Sequence, residues 1–393
     1  MGVRQKLRSI FGNVVVLVIS TAVALVIAEF IASYWLVNHA TQDQFRHYGT
    51  LKQNMERFEE RGESASKYFS HRYIGYIPSP NYKRGENYHN ADGYRGDPIP
   101  AVKDPNEFRI VCVGGSTTYT SFVDVPSNSY PAVLERELHE RGFTHVRVIN
   151  AGAEGWASWE TLVNVNFRVL DLDPDMVIIY HAVNDVISRI VWPAKAFRGD
   201  RSGTLQHTSG LDRPEPVFER STLTRMLMVS LGRWSSPLEL RNTFAKMLPT
   251  DKFWLYYNQN RKGRYPQGVF KTTPIERILE VNTTDYFERN IESVIVTCKQ
   301  QGIVPVLATF KVNRNFDGPV LAQPALVDAI EEHNQVTRTI GAELNVPVFE
   351  FAEAFSSDMN LFSDPVHLTE EGAQLKGSLF ADFLESQNLL GVR

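Results

Sequence analysis

Strand and helix signals alternate from Phe108 to the end of the chain, which predicts an α/β protein built as a three-layer α/β/α sandwich. Three observations carry this. Short apolar runs, among them the fully apolar Met176–Tyr180, have the composition of strands buried on both faces. Longer segments between them place apolar residues at helical spacing. Strands joined through helices lie parallel, and their right-handed crossovers put helices on both faces of the sheet.

The elements follow in order. Phe108–Val113 is the first strand and ends in Gly114-Gly115. Ser129–Arg141 reads as a helix, with Gly142 where a C-terminal cap belongs. Val146–Asn150 is the second strand, Trp159–Leu170 the second helix and Met176–Tyr180 the third strand. Residues 187–284 then break the pattern. They are rich in Arg, Pro, Ser and aromatics and read as one large insertion, with Trp254, Tyr256, Tyr257 and Tyr265 beside Arg261, Lys262 and Arg264. The alternation resumes at Asp285, expected as an N-cap with Glu288 as its capping-box partner. Phe287, Ile291, Val294 and Cys298 repeat at helical spacing, and Gly302 closes that helix. Val304–Thr309 is the fourth strand, Ala325–Leu344 a helix, Val346–Phe349 the fifth strand and Glu370–Leu384 the last helix, capped by Thr369.

Ahead of this domain lies a different composition. Arg4, Lys6 and Arg8 precede an uncharged run from Ile10 to Ala28, interrupted by Glu29 and resumed over Phe30–Val37. At about 1.5 Å per residue that run comes close to the roughly 30 Å of bilayer hydrocarbon. The segment 10–37 is therefore expected to be a transmembrane anchor, with residues 1–9 cytoplasmic and everything beyond it outside, because the basic residues lie on its N-terminal side. Ala22-Val23-Ala24 has the small-x-small form of a signal-peptidase site. Cleavage there would leave Leu25–Val37 apolar and exposed, which favours a retained single-pass anchor in the cell membrane. Glu29 stands out, because an acid at membrane depth needs a partner or a function. Residues 38–107 are polar and aromatic, with turns at Pro78-Ser79-Pro80 and Asp92-Gly93, and read as a stalk and N-terminal extension.

Composition narrows the function. Of the 393 residues, 43% are hydrophobic and 22% charged, which excludes a disordered or fibrous chain. The formal net charge of −4 makes nucleic acid an unsuitable partner. Cys112 and Cys298 are the only cysteines, too few for a zinc cluster or a disulfide framework, and both read as small buried hydrophobes.

Chemistry should lie at the carboxyl ends of the parallel strands. Polar sets occur there after four of the predicted strands: Gly114-Gly115-Ser116-Thr117-Thr118, Asn150-Ala151-Gly152-Ala153-Glu154-Gly155, His181-Ala182-Val183-Asn184-Asp185 and Asp364-Pro365-Val366-His367. Each alone is a turn or a cap. Together they hold what acyl transfer through serine requires. Ser116 offers the hydroxyl, His367 the base and Asp364, three residues earlier, the carboxylate that orients it. The Ser116 and Gly155 backbone N–H groups and the Asn184 amide are candidate oxyanion donors. No strand is followed by a phosphate-binding Gly-Lys-Ser/Thr turn or a G-x-G-x-x-G fingerprint, so no cofactor is expected. The first turn also lacks the last glycine of G-x-S-x-G, unlike an α/β-hydrolase elbow. A metal hydrolase would need His181, Asp185 and His367 to converge without a recognisable ligand spacing, so no metal is expected either.

Ser116, Gly155, Asn184 and His367 occur in the order and contexts of the four signature blocks of the SGNH (GDSL-type) hydrolases, and the chain resembles that superfamily over roughly residues 108–186 and 285–386. The first block reads Gly-Gly-Ser-Thr where the family name implies Gly-Asp-Ser, and the third has Ala182 where Gly is common. The resemblance implies a flavodoxin-like five-stranded core and an esterase acting through an acyl-serine intermediate; a domain tethered outside the cytoplasm would meet acylated carbohydrate or lipid of the cell envelope. Within the same chemistry, acyl transfer to a glycan hydroxyl is an alternative. A membrane-anchored binding protein that keeps the fold without turnover is another. His181 could shape the substrate pocket, although a hydrogen-bonded structural histidine is the commoner outcome. Asn282-Thr283-Thr284 has the form of a glycosylation sequon and is read as a chance match unless the host is eukaryotic.

Overall fold

The computed structural model describes residues 2–50, 53, 67–71, 73–191, 194–200, 220–234, 274–316 and 323–391. The aromatic and basic cluster at 254–265 lies outside them. The chain divides into two compact units, Met1–Ser66 with Ser209–Thr243, and Lys67–Thr208 with Phe244–Arg393.

The first unit is helical. One helix runs over Gly2–Asn38, and its segment Ile10–Asn38 is long and apolar enough to cross a bilayer, with side chains exposed over residues 10–27 while Ala32 and Leu36 are buried. A short helix, Gln42–Tyr48, follows behind a Thr41/Gln44 capping box. Glu29 does not stand alone. Its carboxylate accepts from the backbone N–H of Thr222 and Leu223 (2.6 and 3.0 Å) and from Ser221 Oγ (2.6 Å). It thereby covers the N-terminus of the helix Thr222–Ser230, where unpaired N–H groups and the helix dipole favour a negative charge.

The second unit contains a five-stranded parallel sheet, preceded by two small antiparallel hairpins. The hairpins pair β1 (Tyr68–His71) with β2 (Gly75–Pro78) and β3 (Lys83–Arg84) with β4 (Asn87–Tyr88). The sheet comprises β5 (Phe108–Gly114), β6 (Val146–Asn150), β7 (Met176–Tyr180), β8 (Val304–Ala308) and β9 (Val348–Phe349), in the order β6-β5-β7-β8-β9. This is the flavodoxin-like order, and it reverses direction between β5 and β7. Register places Ile110 beside Met176 and Cys112 beside Ile178. Because successive strand side chains alternate faces, Ile110, Cys112, Ile178 and Val306 enter one core while Val111, Val113, Ile179 and Leu307 enter the other. The helices Tyr130–Glu140 and Glu370–Ser386 cover the first face through Leu134, Leu138, Phe380 and Leu384. Asp285–Gln300 covers the second through Phe287, Ile291, Val294 and Cys298. The expected three-layer sandwich is therefore present, and both cysteines are buried free thiols.

Several boundaries differ from the sequence reading for physical reasons. The second helix keeps α geometry only over Ser158–Asn164, then widens into a π turn over Val165–Val169 and tightens over Leu170–Leu172. The N-cap of the next helix is Thr284, whose carbonyl receives the Glu288 N–H (3.0 Å). Asp285 sits instead in the first turn, where its charge suits the helix dipole. The last strand shrinks to Val348–Phe349, since Pro347 has no N–H to give the ladder. Asn282 is buried and donates to the carbonyls of Arg189 (2.6 Å) and Val191 (2.7 Å), so the sequon is a structural amide.

Candidate active site

The reversal of strand order leaves a crevice at the carboxyl ends of β5 and β7, and the polar sets meet there. β5 ends at Gly114, and Gly115 caps a four-residue helix, Ser116–Tyr119. Ser116 is the first residue of that helix, so its N–H has no carbonyl one turn back to bond. Three glycines let this turn close. A Cβ on Gly114 would lie 2.6 Å from the Tyr180 carbonyl oxygen, and one on Gly152 only 2.5 Å from the Tyr119 nitrogen. A Cβ on Gly115 would sit 2.5 Å from Asn184 Nδ2 and 2.9 Å from the Trp156 carbonyl oxygen.

Ser116, His367 and Asp364 form one hydrogen-bonded series. Ser116 Oγ donates to His367 Nε2 at 2.7 Å, and His367 Nδ1 donates to Asp364 Oδ2 at 2.7 Å. The other Asp364 oxygen accepts the backbone N–H groups of Val366 (2.9 Å) and His367 (2.8 Å). Burial alone would raise the Asp364 carboxyl. The bonds from the His367 ring and the two N–H groups outweigh it and hold the pKa below its ordinary value of 3.8. An ionised Asp364 can only accept, which fixes the imidazole proton on Nδ1 and leaves Nε2 to take a proton from Ser116.

The candidate oxyanion donors lie on the neighbouring turns. Gly155 has φ +79, a left-handed conformation that a side chain would strain. Asn184 is in the first turn of the helix Val183–Arg189, and its Nδ2 donates one hydrogen to the Trp156 carbonyl oxygen at 2.8 Å. Ala182 has an extended φ of −174, so the alanine in the third block costs the turn nothing.

Two residues of the metal alternative are engaged elsewhere. His181 Nε2 meets Thr161 Oγ1 at 2.7 Å, and burial drives its pKa down to about 3, so the ring is neutral. Asp185 accepts from Ser158 N (3.0 Å) and Ser158 Oγ (2.6 Å). Both tie the end of β7 to the helix Ser158–Asn164, and His181 is structural.

Other residues at this site escaped the sequence reading. Arg95, buried, donates to the carbonyls of Tyr119, Thr120, Val123 and Asp124 as the chain leaves the helix Ser116–Tyr119. His89 Nε2 meets Tyr119 Oη at 2.9 Å. Lys376 is fully buried behind the same helix, with Nζ 3.6 Å from the Tyr180 ring centre, 3.9 Å from that of Tyr130 and 3.4 Å from the Thr117 carbonyl. Burial lowers its pKa well below the ordinary lysine value. The exposed Phe122 ring lies 5.0 Å from the His367 ring. Only Lys376 left a trace in the sequence, as a lysine on the stripe Ala373, Gly377, Phe380 and Leu384 that packs the last helix.

A hydroxyl, an imidazole and a carboxylate in series at the crevice of a parallel sheet are the equipment of a hydrolytic enzyme. The sequence matches the GDSL-like lipase/acylhydrolase family over residues 112–375. The chain belongs to that family and is an ester-hydrolysing enzyme. No curated protein matches it. Among solved structures it is similar to a lipase/acylhydrolase from Enterococcus faecalis (19% identity, TM-score 0.40, 71% of this chain and 96% of that one). It is also similar to a catalytic mutant of an acetylxylan esterase from Geobacillus stearothermophilus (15% identity, TM-score 0.42, 74% and 98%). At such identities and scores neither likeness bears on substrate.

Two outcomes are expected. Gly115→Ala should keep its far-UV circular dichroism yet lose about 10²-fold or more in ester turnover, because the new methyl displaces Asn184 and the Trp156 turn from the reacting group. The second concerns pH. A carboxyl whose folded pKa is depressed stabilises the fold above its unfolded value and ceases to do so as pH falls through the folded one. The difference in melting temperature between wild type and Asp364→Asn should therefore be flat near neutrality and close as the pH drops below 3.8.

Proposed function

We propose that the chain is a membrane-anchored serine esterase that works through an acyl-serine intermediate on an acylated carbohydrate or lipid of the cell envelope. The observation that carries the mechanism is the pair of 2.7 Å contacts linking Ser116 to His367 and His367 to Asp364. His367 Nε2 takes the Ser116 proton as the oxygen attacks the ester carbonyl. The tetrahedral oxyanion rests on the N–H groups of Ser116 and Gly155 and on the Asn184 amide. Protonated His367, held by ionised Asp364, returns the proton to the leaving alcohol. Water, activated by the same imidazole, then frees the acid and restores Ser116. A glycan hydroxyl in place of that water would make the enzyme an acyltransferase, and the ratio of acid to acylated sugar formed in the presence of an added acceptor measures which route dominates.

Anchoring is supported by the apolar helix Ile10–Asn38 and by the basic residues ahead of it. On this reading the esterase domain lies outside the cytoplasm and meets envelope glycans and lipids. The capping contacts to Glu29 are compatible with a place at the outer membrane interface, since both carboxylate oxygens are satisfied.

Ser116→Ala should abolish labelling by a fluorophosphonate probe and reduce hydrolysis of a short-chain ester to background. Asn184→Ala should retain labelling at a slower rate and lose about 10²–10³ in kcat, the scale of one oxyanion donor. Wild-type turnover in either variant would sink the mechanism. For the anchor, the full chain should resist carbonate extraction from membranes, and protease added outside intact cells should reach the domain beyond residue 38. Release by carbonate, or protection from that protease, would sink the topology.

A further inference from the structure

The turn after β6 is gripped from outside the matched family region. Tyr68 and Tyr76, buried at 3% and 6% exposure, belong to the hairpin β1–β2, and their rings meet edge to face at 5.2 Å. Tyr68 Oη accepts the Glu154 N–H at 3.0 Å, while the Tyr76 hydroxyl donates to the Glu154 carbonyl oxygen. Lys67 Nζ stands 2.8 Å from Glu154 Oε1. Glu154 is thus held on its N–H, its carbonyl and its side chain.

The carbonyl matters most. The peptide bond is planar and trans, so the Glu154 C=O and the Gly155 N–H are two ends of one rigid unit pointing in opposite directions. Fixing the carbonyl fixes the direction of the N–H. Gly155, lacking a Cβ, places no steric limit of its own on that direction. A second path leads from the same tyrosine. The Trp156 indole N–H donates to the Tyr76 carbonyl at 3.2 Å, and the Trp156 carbonyl receives the Asn184 amide at 2.8 Å. Trp156 is almost wholly buried in one apolar cluster with Tyr68, Ile74, Tyr76 and Ile77, which packs its turn against the hairpin.

We infer that Tyr76, supported by Tyr68, is a positioning residue of the esterase that aims the Gly155 N–H at the developing oxyanion. The N-terminal hairpin is then part of the catalytic apparatus. This rests on the acyl-serine reading of the site given above.

The test uses the full chain in detergent, with 4-nitrophenyl acetate as substrate and butylboronic acid as a probe that forms a tetrahedral adduct on Ser116. Tyr76→Phe keeps the ring and removes the hydroxyl. It should lower kcat about three- to tenfold, the worth of one neutral hydrogen bond, and weaken boronate inhibition by the same factor while KM stays within about twofold. Tyr68→Phe should show the same pattern and serves if Tyr76→Phe does not fold. A rise in KM at unchanged kcat, or undiminished boronate affinity, overturns the inference. Ser116→Ala, run alongside, separates the two possible failures. Turnover surviving in Ser116→Ala removes the reading beneath, whereas an inactive Ser116→Ala beside an unimpaired Tyr76→Phe removes only the positioning role.

Discussion

The close approach of three turns where the sheet reverses direction governs this molecule's chemistry. β5 delivers Gly114, Gly115 and Ser116 into the crevice, the turn after β6 brings Trp156 against them, and the start of the helix after β7 brings Asn184. They pack so tightly that Gly115 has no room for a single added carbon, its Cβ falling 2.5 Å from the Asn184 amide. Such contacts cannot form on an isolated loop. They need three parallel strands held in register, with Ile110 against Met176 and Val111 against Ile149, so that their carboxyl ends finish at fixed heights. The apolar cores on both faces of the sheet maintain that register, because a one-residue slip would move every inward side chain to the wrong face.

Charge is handled conservatively around this crevice. Asp364 keeps its charge through three hydrogen bonds, while His181 loses its own to burial and serves as a neutral strut. Lys376 lies among aromatic rings behind the helix that begins at Ser116, and Arg95 satisfies four carbonyls as the chain turns away from it. Each group sits where its loss would leave a buried partner unsatisfied, which is costly in a low-dielectric interior. The loops at the crevice are thereby held before substrate arrives, as electrostatic stabilisation of a transition state requires. Glu29 follows the same economy within the other unit, where a helix N-terminus absorbs its charge.

Some features were legible in sequence because they arise from local spacing. Four of the five strand spans matched to within a residue, because each is a short, largely apolar run between turns. Thr369 was recognised as a cap and accepts the Gly372 N–H, a contact set by positions three apart. The Asp364–His367 pair has the same locality. Where competing local options were nearly equal the reading slipped, as at Thr284 against Asp285. The sequon pattern at Asn282 carries no information for a different reason. A three-residue pattern contains nothing about burial, and the amide is spent on the carbonyls of Arg189 and Val191.

From the sequence alone came the layered α/β class, the order of its strands along the chain, the four polar sets at strand ends and the apolar N-terminal helix. These follow from periodicity and residue type, which act over a few neighbours. Residue type and resemblance named Ser116 and His367 as partners, but only the tertiary structure brings them, 251 positions apart, to 2.7 Å. It also decided that His181 faces Thr161, and that tyrosines from an N-terminal hairpin hold the turn bearing Gly155. Such pairings depend on which faces and ends the packed sheet brings together, and no local pattern encodes that.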